Sequence, residues 1–306
     1  MDDQALSRLG RYIPYLTGDH KLVRIHKGYS NDEKYRVSHP DGRRYLLRMF
    51  DLKHWNSKKS EFNVLQKMEK YNVKCSRPVD FGAVEPLDKG YMLLSYIEGE
   101  DAEEHIGALS EQAQYAIGKE AGEELLRMHQ YTAPAEVPGW FERKYKKHRQ
   151  YIEQYQACGY KLREAPRIGS FIDDYIHLMK QRPNLFQHDD FHVGNLIIKD
   201  EKLAGIIDFN RYDWGDPIHE FLKTGLFSSE VSVPFAIGQI VGYHKGSQPD
   251  ELFWKLYSLY LAMSIFSSIV WILRVKPEEL DQMLEKLHRV IEDHHGFEEV
   301  KPGWYA

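Results

Sequence analysis

The chain has 306 residues, 42% of them hydrophobic and 28% charged, with a formal net charge of -5. That length can bury a full core and form two subdomains, and the acidic balance argues against a nucleic-acid binder, which would carry a basic face. Cys75 and Cys158 are the only cysteines, too few for a disulfide framework or a zinc pattern, and the acidic start lacks an apolar signal core, so a cytoplasmic protein is expected.

In chain order, Ala5 to Tyr15 reads as an opening helix. Three strand-like runs follow, Leu22–His26, Lys34–Val37 and Arg44–Met49, separated by the turn formers Gly28-Tyr29-Ser30-Asn31-Asp32 and Pro40-Asp41-Gly42. A helix is predicted from Ser57 to Lys70. Glu61 lies four and seven residues before Leu65 and Met68, which puts it on the inward, apolar stripe. A buried acid needs a positive partner, and Arg48 on the third strand is the natural candidate. Val79–Gly82 and Gly90–Ser95 complete a five-stranded sheet.

The acids Glu98, Glu100, Asp101, Glu103 and Glu104 come next. They read as a solvated linker face, or as a lip that attracts cationic substrates. Ser110 suits the N-cap of a helix reaching about Gln130, with Ala113, Ile117, Ala121, Leu125 and Met128 on one stripe. Pro134–Gly139 breaks the chain before a Tyr-rich helix over Glu142–Tyr155. Trp214-Gly215-Asp216-Pro217 predicts a turn and a helix start, with Asp216 as a brace or as a contact to metal or substrate. Leu256–Leu273 carries no charge and reaches membrane-spanning length. Its serines, its tyrosines and its amphipathic approach at Leu252–Lys255 favour a buried helix and no membrane.

The chemistry concentrates at His188-Asp189-Asp190-Phe191-His192-Val193-Gly194-Asn195. Two apolar runs follow, Leu196–Lys199 and Leu203–Ile207, around the turn Asp200-Glu201-Lys202, and the second ends on Asp208. That is a hairpin pattern, and a hairpin brings Asn195 and Asp208 to the same end. Two carboxylates and an amide oxygen suit a hard cation such as Mg²⁺, which is held by few protein oxygens plus substrate phosphates. A metal-hydrolase reading of His188, Asp190 and His192 leaves Asn195 and Asp208 without a part. A purely structural loop is the remaining alternative.

The spacing His188-x-Asp190-x-x-x-x-Asn195, with Ile207-Asp208-Phe209 after a hairpin, resembles the catalytic and metal-binding loops of protein-kinase-like phosphotransferases. With Phe191-His192-x-Gly194-Asn195 and Gly215-Asp216-Pro217, the chain resembles the aminoglycoside phosphotransferase family over residues 20–220; that family also holds macrolide, choline and other small-molecule kinases. The resemblance implies an α+β, bilobal protein-kinase-like fold. Residues 1–95 would form a small lobe with a five-stranded antiparallel sheet and one helix, 96–101 a hinge, and 102–306 a large, mostly helical lobe.

It further implies ATP, or GTP, bound with Mg²⁺ held by Asn195 and Asp208. Asp190 would orient the acceptor hydroxyl and take its proton, and His188 would brace the loop. Arg48 and Glu61 match the kinase Lys–Glu pair, with Arg in place of Lys. Ser30 and Asn31 would lie over the nucleotide phosphates, and backbone groups of Ser95 and Ile97 would meet the purine. Asp189 stands where the family usually has Gly. Asp80-Phe81-Gly82 precedes the His-x-Asp loop and so cannot be the kinase metal triplet. The acceptor would be a small, cationic hydroxyl compound, either an amine-bearing antibiotic such as an aminoglycoside or a metabolite such as choline. A non-catalytic nucleotide-binding protein is the alternative, although Asp190, Asn195 and Asp208 are all retained.

Overall fold

Five runs rich in apolar, β-branched and aromatic residues, set off by turn formers, pair into one antiparallel sheet. The structure, a computed structural model, describes residues 9–26 and 32–305. The strands are β1 (Lys21–Ile25), β2 (Glu33–Ser38), β3 (Arg44–Asp51), β4 (Pro78–Val84) and β5 (Lys89–Ser95), in the order β1-β2-β3-β5-β4. Val37, Leu47, Met49, Tyr91 and Leu93 bury one face against Leu9, Ile13 and Leu16. The intervening Arg48 therefore points to the opposite face, where helix α1 (Trp55–Lys70) supplies Glu61. Asp80-Phe81-Gly82 lies within β4. Asp80 accepts a hydrogen bond from the Tyr91 hydroxyl at 2.8 Å, and Phe81 packs on Trp55 and Phe62. The triplet is structural, as its position in the chain requires.

The opening helix is not formed across its described part. Leu9–Arg11 and Pro14–Leu16 are two short 3₁₀ turns, with Ile13 extended between them. Pro14 explains this, because the residue before a proline is pushed out of the helical region.

The chain divides into two units, Met1–Gly99 with Ala204–Asn210, and Glu100–Leu203 with Arg211–Ala306. Helices dominate the second unit: α2 (Glu111–Met128), α3 (Trp140–Ala157), α4 (Ala165–Tyr175), α5 (Val233–Tyr243), α6 (Glu251–Val275) and α7 (Leu280–Asp293). Ser110 caps α2 by accepting from the Ala113 N–H at 3.2 Å. The charge-free run lies in α6 and is mostly buried within the protein. Its Tyr260 and Ser258 hydroxyls donate to Asp216 and to the Val300 carbonyl, so these two polar groups are satisfied inside the core.

The packing of α2 on α5 is backbone to backbone. Gly118 and Gly122 on α2 face Gly238 and Gly242 on α5. A Cβ on Gly118 or Gly122 would overlap the carbonyl oxygens of Phe235 or Gln239, and one on Gly238 or Gly242 would overlap those of Tyr115 or Lys119. Backbone atoms cannot step aside as a side chain can. Gly122→Ala and Gly238→Ala should each destabilise the protein by about 1–3 kcal/mol or more. Gly169→Ala is the control: it sits in α4 with open space where the Cβ would be, and should gain up to about 1 kcal/mol from helix propensity. Urea unfolding of the three variants checks both signs.

Candidate functional site

Strand β7 (Leu185–Gln187) pairs antiparallel with β10 (Asp213–Gly215), bringing the start of the His188–Asn195 loop beside the turn at Asp216. Gly215 has no room for a side chain, because a Cβ there would enter the Trp140 ring and approach Gln187 Oε1. Asp216 is fully buried. Its carboxylate accepts both arms of the Arg182 fork at 2.7 and 3.0 Å, the Tyr260 hydroxyl at 2.7 Å and the Ile218 N–H at 3.1 Å. Its own carbonyl accepts from Gln187 Nε2 at 2.7 Å. Of its two possible roles, bracing is the one its donors fill.

One turn further, Glu220 is buried in the 3₁₀ segment Pro217–Phe221. Its two carboxylate oxygens accept the N–H groups of His188 at 2.9 Å and Asp189 at 2.8 Å. Burial, reinforced by Asp189, raises its pKa to about 8 against the lowering effect of those two hydrogen bonds. The loop is thus clamped by its backbone. His188 is fully buried and sits edge-on to Phe191, a position that suits a brace.

Asp190 is half-buried, with Oδ1 at 2.8 Å from Lys223 Nζ and Oδ2 at 3.8 Å from Arg211. Burial raises its pKa, but Lys223, with help from His192 and Arg211, overrides that and brings it to about 2. Asp190 is therefore an ionised acceptor at any physiological pH, and a weak base. Burial, partly offset by Asp190, lowers His192 to about 4, so this ring is neutral. Its Nδ1 accepts the Gly194 N–H at 3.1 Å and starts the turn Val193–Asn195. Asn195 donates Nδ2 to the Asp190 carbonyl at 2.8 Å, which orients its amide oxygen away from the loop.

Asp189 has φ +61°, in the left-handed region that favours glycine. This accounts for the usual Gly at the position, and it means Asp189 is held under backbone strain. Burial raises its pKa, against the pull of Lys223, Lys144 and Lys147.

The other candidates lie in the first unit. Arg48 donates Nη1 to Glu61 at 2.5 Å, and Nε and Nη2 to Asp32 at 3.0 and 2.6 Å. Lys58 reaches the same Asp32 oxygen at 2.5 Å. The predicted Arg48–Glu61 pair is formed, but within a buried four-residue charge network that includes two residues the sequence reading did not single out. Lys34, opposite Arg48 on β2, feels both Arg48 and Asp208. Asp208 follows β9 (Lys202–Ile206), the second strand of the predicted hairpin, whose first strand is β8 (Leu196–Lys199). It has φ +70° and accepts from Asn210 Nδ2 at 2.6 Å. The Ser95 N–H is bonded to the Arg77 carbonyl at 2.8 Å. Ile97 packs where a Cβ on Gly205 would stand. Ser30 and Asn31 lie outside the described residues.

Among the described residues, no three His, Cys, Asp or Glu side chains converge as a self-sufficient metal cage. An amide oxygen and a carboxylate are nevertheless the right chemistry for Mg²⁺, which completes its shell with phosphate and water. Lys223, Glu220, Asp32 and Lys58 were missed because each meets its partner through tertiary contact and sits in no motif. A charged residue within the apolar run Ile218–Leu222 was the available signal for Glu220.

A family model described as the phosphotransferase enzyme family, APH, matches residues 21–257. No curated protein matches the sequence. Solved structures with the same fold include the GDP complex of wild-type aminoglycoside 2'-phosphotransferase-IIIa, at 12% identity and TM-score 0.71 over 95% of this chain and 98% of that one. The gentamicin complex of APH(2")-IIa aligns at 17% identity and TM-score 0.64, covering 94% and 96%. The ADP and hygromycin B complex of a thermostable APH(4)-Ia mutant aligns at 12% and 0.64, covering 93% and 98%. At these identities the likeness shows the fold, which is the α+β, kinase-like one expected.

The strain at Asp189 has a measurable consequence. Asp189→Gly should stabilise the protein by about 1 kcal/mol through backbone relief. Because burial holds the Asp189 pKa up, the native state binds more protons than the unfolded state above the ordinary carboxylate range. Wild-type stability therefore falls as pH rises through that window, and the variant's advantage grows from acidic to neutral pH. Unfolding at both pH values checks this; an advantage that shrinks with pH would contradict the burial argument.

Proposed function

This chain belongs to the phosphotransferase enzyme family, and we propose that it transfers the terminal phosphoryl group of ATP or GTP to an alcohol hydroxyl of a small molecule. The observation that carries the reading is the 2.8 Å bond from Asn195 Nδ2 to the Asp190 carbonyl. It couples the candidate metal ligand to the candidate acceptor-orienting residue on one clamped loop. Oδ1 of Asp190 is held by Lys223, which leaves Oδ2 to accept from the substrate hydroxyl.

In the proposed reaction the acceptor oxygen bonds to the γ-phosphorus as the bond to the β–γ bridging oxygen breaks. The electron pair leaves with the nucleoside diphosphate, and the hydroxyl proton passes to Asp190. With so low a pKa, Asp190 acts mainly by orienting the hydroxyl and accepts its proton late, which suits a loose transition state. Mg²⁺, held by Asn195 and Asp208, would supply charge neutralisation at the phosphates. Arg48 serves the nucleotide side by anchoring Asp32, the residue directly after the Gly28–Asn31 loop, to Glu61 on α1. The two free cysteines suit a cytoplasmic setting, where nucleotide and Mg²⁺ are abundant.

The gentamicin and hygromycin B complexes among the structural neighbours place amine-bearing antibiotics in the first assay panel, with choline and other amino alcohols beside them. The decisive variant is Asp190→Asn, which keeps the shape and removes the charge. It should lower kcat by about a hundredfold to ten-thousandfold with a far smaller change in KM. Turnover equal to wild type would remove Asp190 from the centre of the mechanism.

A further inference from the structure

Beside the Asp189–Asp190 pair, the second unit gathers Lys144, Lys147, Lys223 and Arg211. Lys144 projects from α3, half-buried, with Nζ 2.6 Å from His219 Nε2 and lying over the Trp140 ring. Its only hydrogen-bond acceptor is a neutral imidazole, and among the described residues Lys144 forms no ion pair. An ammonium needs more than one neutral acceptor when it leaves bulk water. Burial, with repulsion from Lys147, lowers its pKa to about 8 against the pull of Asp189 and Asp213.

His219 gives the second observation. It is 7% exposed, and burial followed by Lys144 keeps its pKa well below the ordinary value, so the ring is neutral. With Lys144 donating to Nε2, the ring hydrogen sits on Nδ1. That atom faces Asp189 Oδ1 at 3.9 Å, too far for a hydrogen bond, and has no partner. A buried donor without an acceptor calls for an oxygen from elsewhere. Of the nearby acids, Asp213 pairs with Arg143, Glu220 with the loop N–H groups and Asp190 with Lys223, while Asp189, which faces His219, stays beyond hydrogen-bond reach of Nδ1. Arg211 and Lys147 add further positive charge.

We propose that the acceptor carries an anionic group, a carboxylate or a phosphate ester, which Lys144 and His219 receive while a hydroxyl of the same molecule meets Asp190. The proposal rests on the phosphotransferase reading above for the role of Asp190. It also revises the expectation of a cationic acceptor, since a polyamine would meet Lys144, Lys147, Lys223 and Arg211. Two acids of the run that motivated that expectation have local partners. Glu98 pairs with Arg44 at 2.6 Å, and Asp101 caps the short helix Ala102–His105.

The test uses acceptors that share a polyol and differ in charge: D-glucose, D-glucosamine, D-gluconate and D-glucose 6-phosphate, with gentamicin as a polycation. Turnover is read as nucleotide-dependent phosphorylation, and binding is read separately as the shift in Tm. One anionic acceptor should exceed D-glucose in kcat/KM by about tenfold to a hundredfold, the effect of a charge-assisted hydrogen bond. The carboxylate and phosphate arms tell which anion is read. Lys144→Gln should erase that preference through KM, and Lys144→Arg should retain part of it. Anion-induced stabilisation that Lys144→Gln abolishes, without transfer to any acceptor, would keep the anion site and sink the phosphotransferase reading. Transfer that favours D-glucosamine or gentamicin, or a Lys144→Gln effect equal on every acceptor, would overturn the anion site and leave that reading intact. No anion-dependent shift in Tm together with no anion preference in turnover also overturns it.

Discussion

A buried acid must be given hydrogen-bond partners, and the half of this protein that carries the His188–Asn195 loop is built around two that are. Asp216 and Glu220 lie one turn apart on the same short segment, and each draws in donors distant in sequence. Asp216 gathers Arg182 and the α6 hydroxyl of Tyr260, fixing the turn to the helical core. Glu220 takes the two N–H groups that open the His188–Asn195 loop. Because Glu220 holds backbone rather than side chain, it fixes the path of the loop and leaves the side chains of Asp190 and Asn195 for chemistry. Removing either acid would leave several buried donors unpaired at once, each at a cost of about 1–3 kcal/mol.

The first unit solves a related problem with a cation. Arg48 spreads a planar fork over two acids, Glu61 from α1 and Asp32 from the edge of the phosphate-loop candidate. A lysine at this position has one ammonium and could not hold both with the same geometry. This gives a physical reason for Arg where the kinase pattern has Lys. The substitution goes with a second acid, Asp32, and with a further cation, Lys58, that balances it. Two non-glycine residues in the left-handed region, Asp189 and Asp208, precede and follow the hairpin in the chain. Strain of this kind persists only where neighbours overdetermine the backbone, and at Asp189 the Glu220 clamp does so.

Charge near Asp190 sets what the proposed reaction can use. Lys223 keeps the carboxylate ionised and holds one of its oxygens, so the residue is an aimed acceptor more than a base. The same cation, together with Lys144 and Lys147, also acts on Asp189, a grouping that the net charge of the chain conceals. Net charge describes solubility and long-range attraction; it does not report the local field at a site.

How much of this was legible in the sequence divides along physical lines. Strand-like runs between turn formers gave the five strands, the apolar stripe of α1 placed Glu61 inward, and the spacing from His188 to Asp208 identified the loop and hairpin, because these signals are local in the chain. The same logic failed at the opening helix, where Pro14 overrides an otherwise helical composition. Interactions that join distant segments were not legible: Glu220 to the loop backbone, Lys223 to Asp190, Asp32 to Arg48, and the glycine faces of α2 and α5. Glycines spaced four apart show that a helix can be approached closely, but not by what. In the acidic run after the sheet, Asp101 caps a short helix and Glu98 pairs with Arg44, contacts that composition alone did not show. The sequence by itself determined the fold class and the candidate reaction, because backbone pattern and residue spacing encode them locally. Only the tertiary structure decided which charges surround Asp190, because a field is summed over residues that the fold, and not the chain order, brings together.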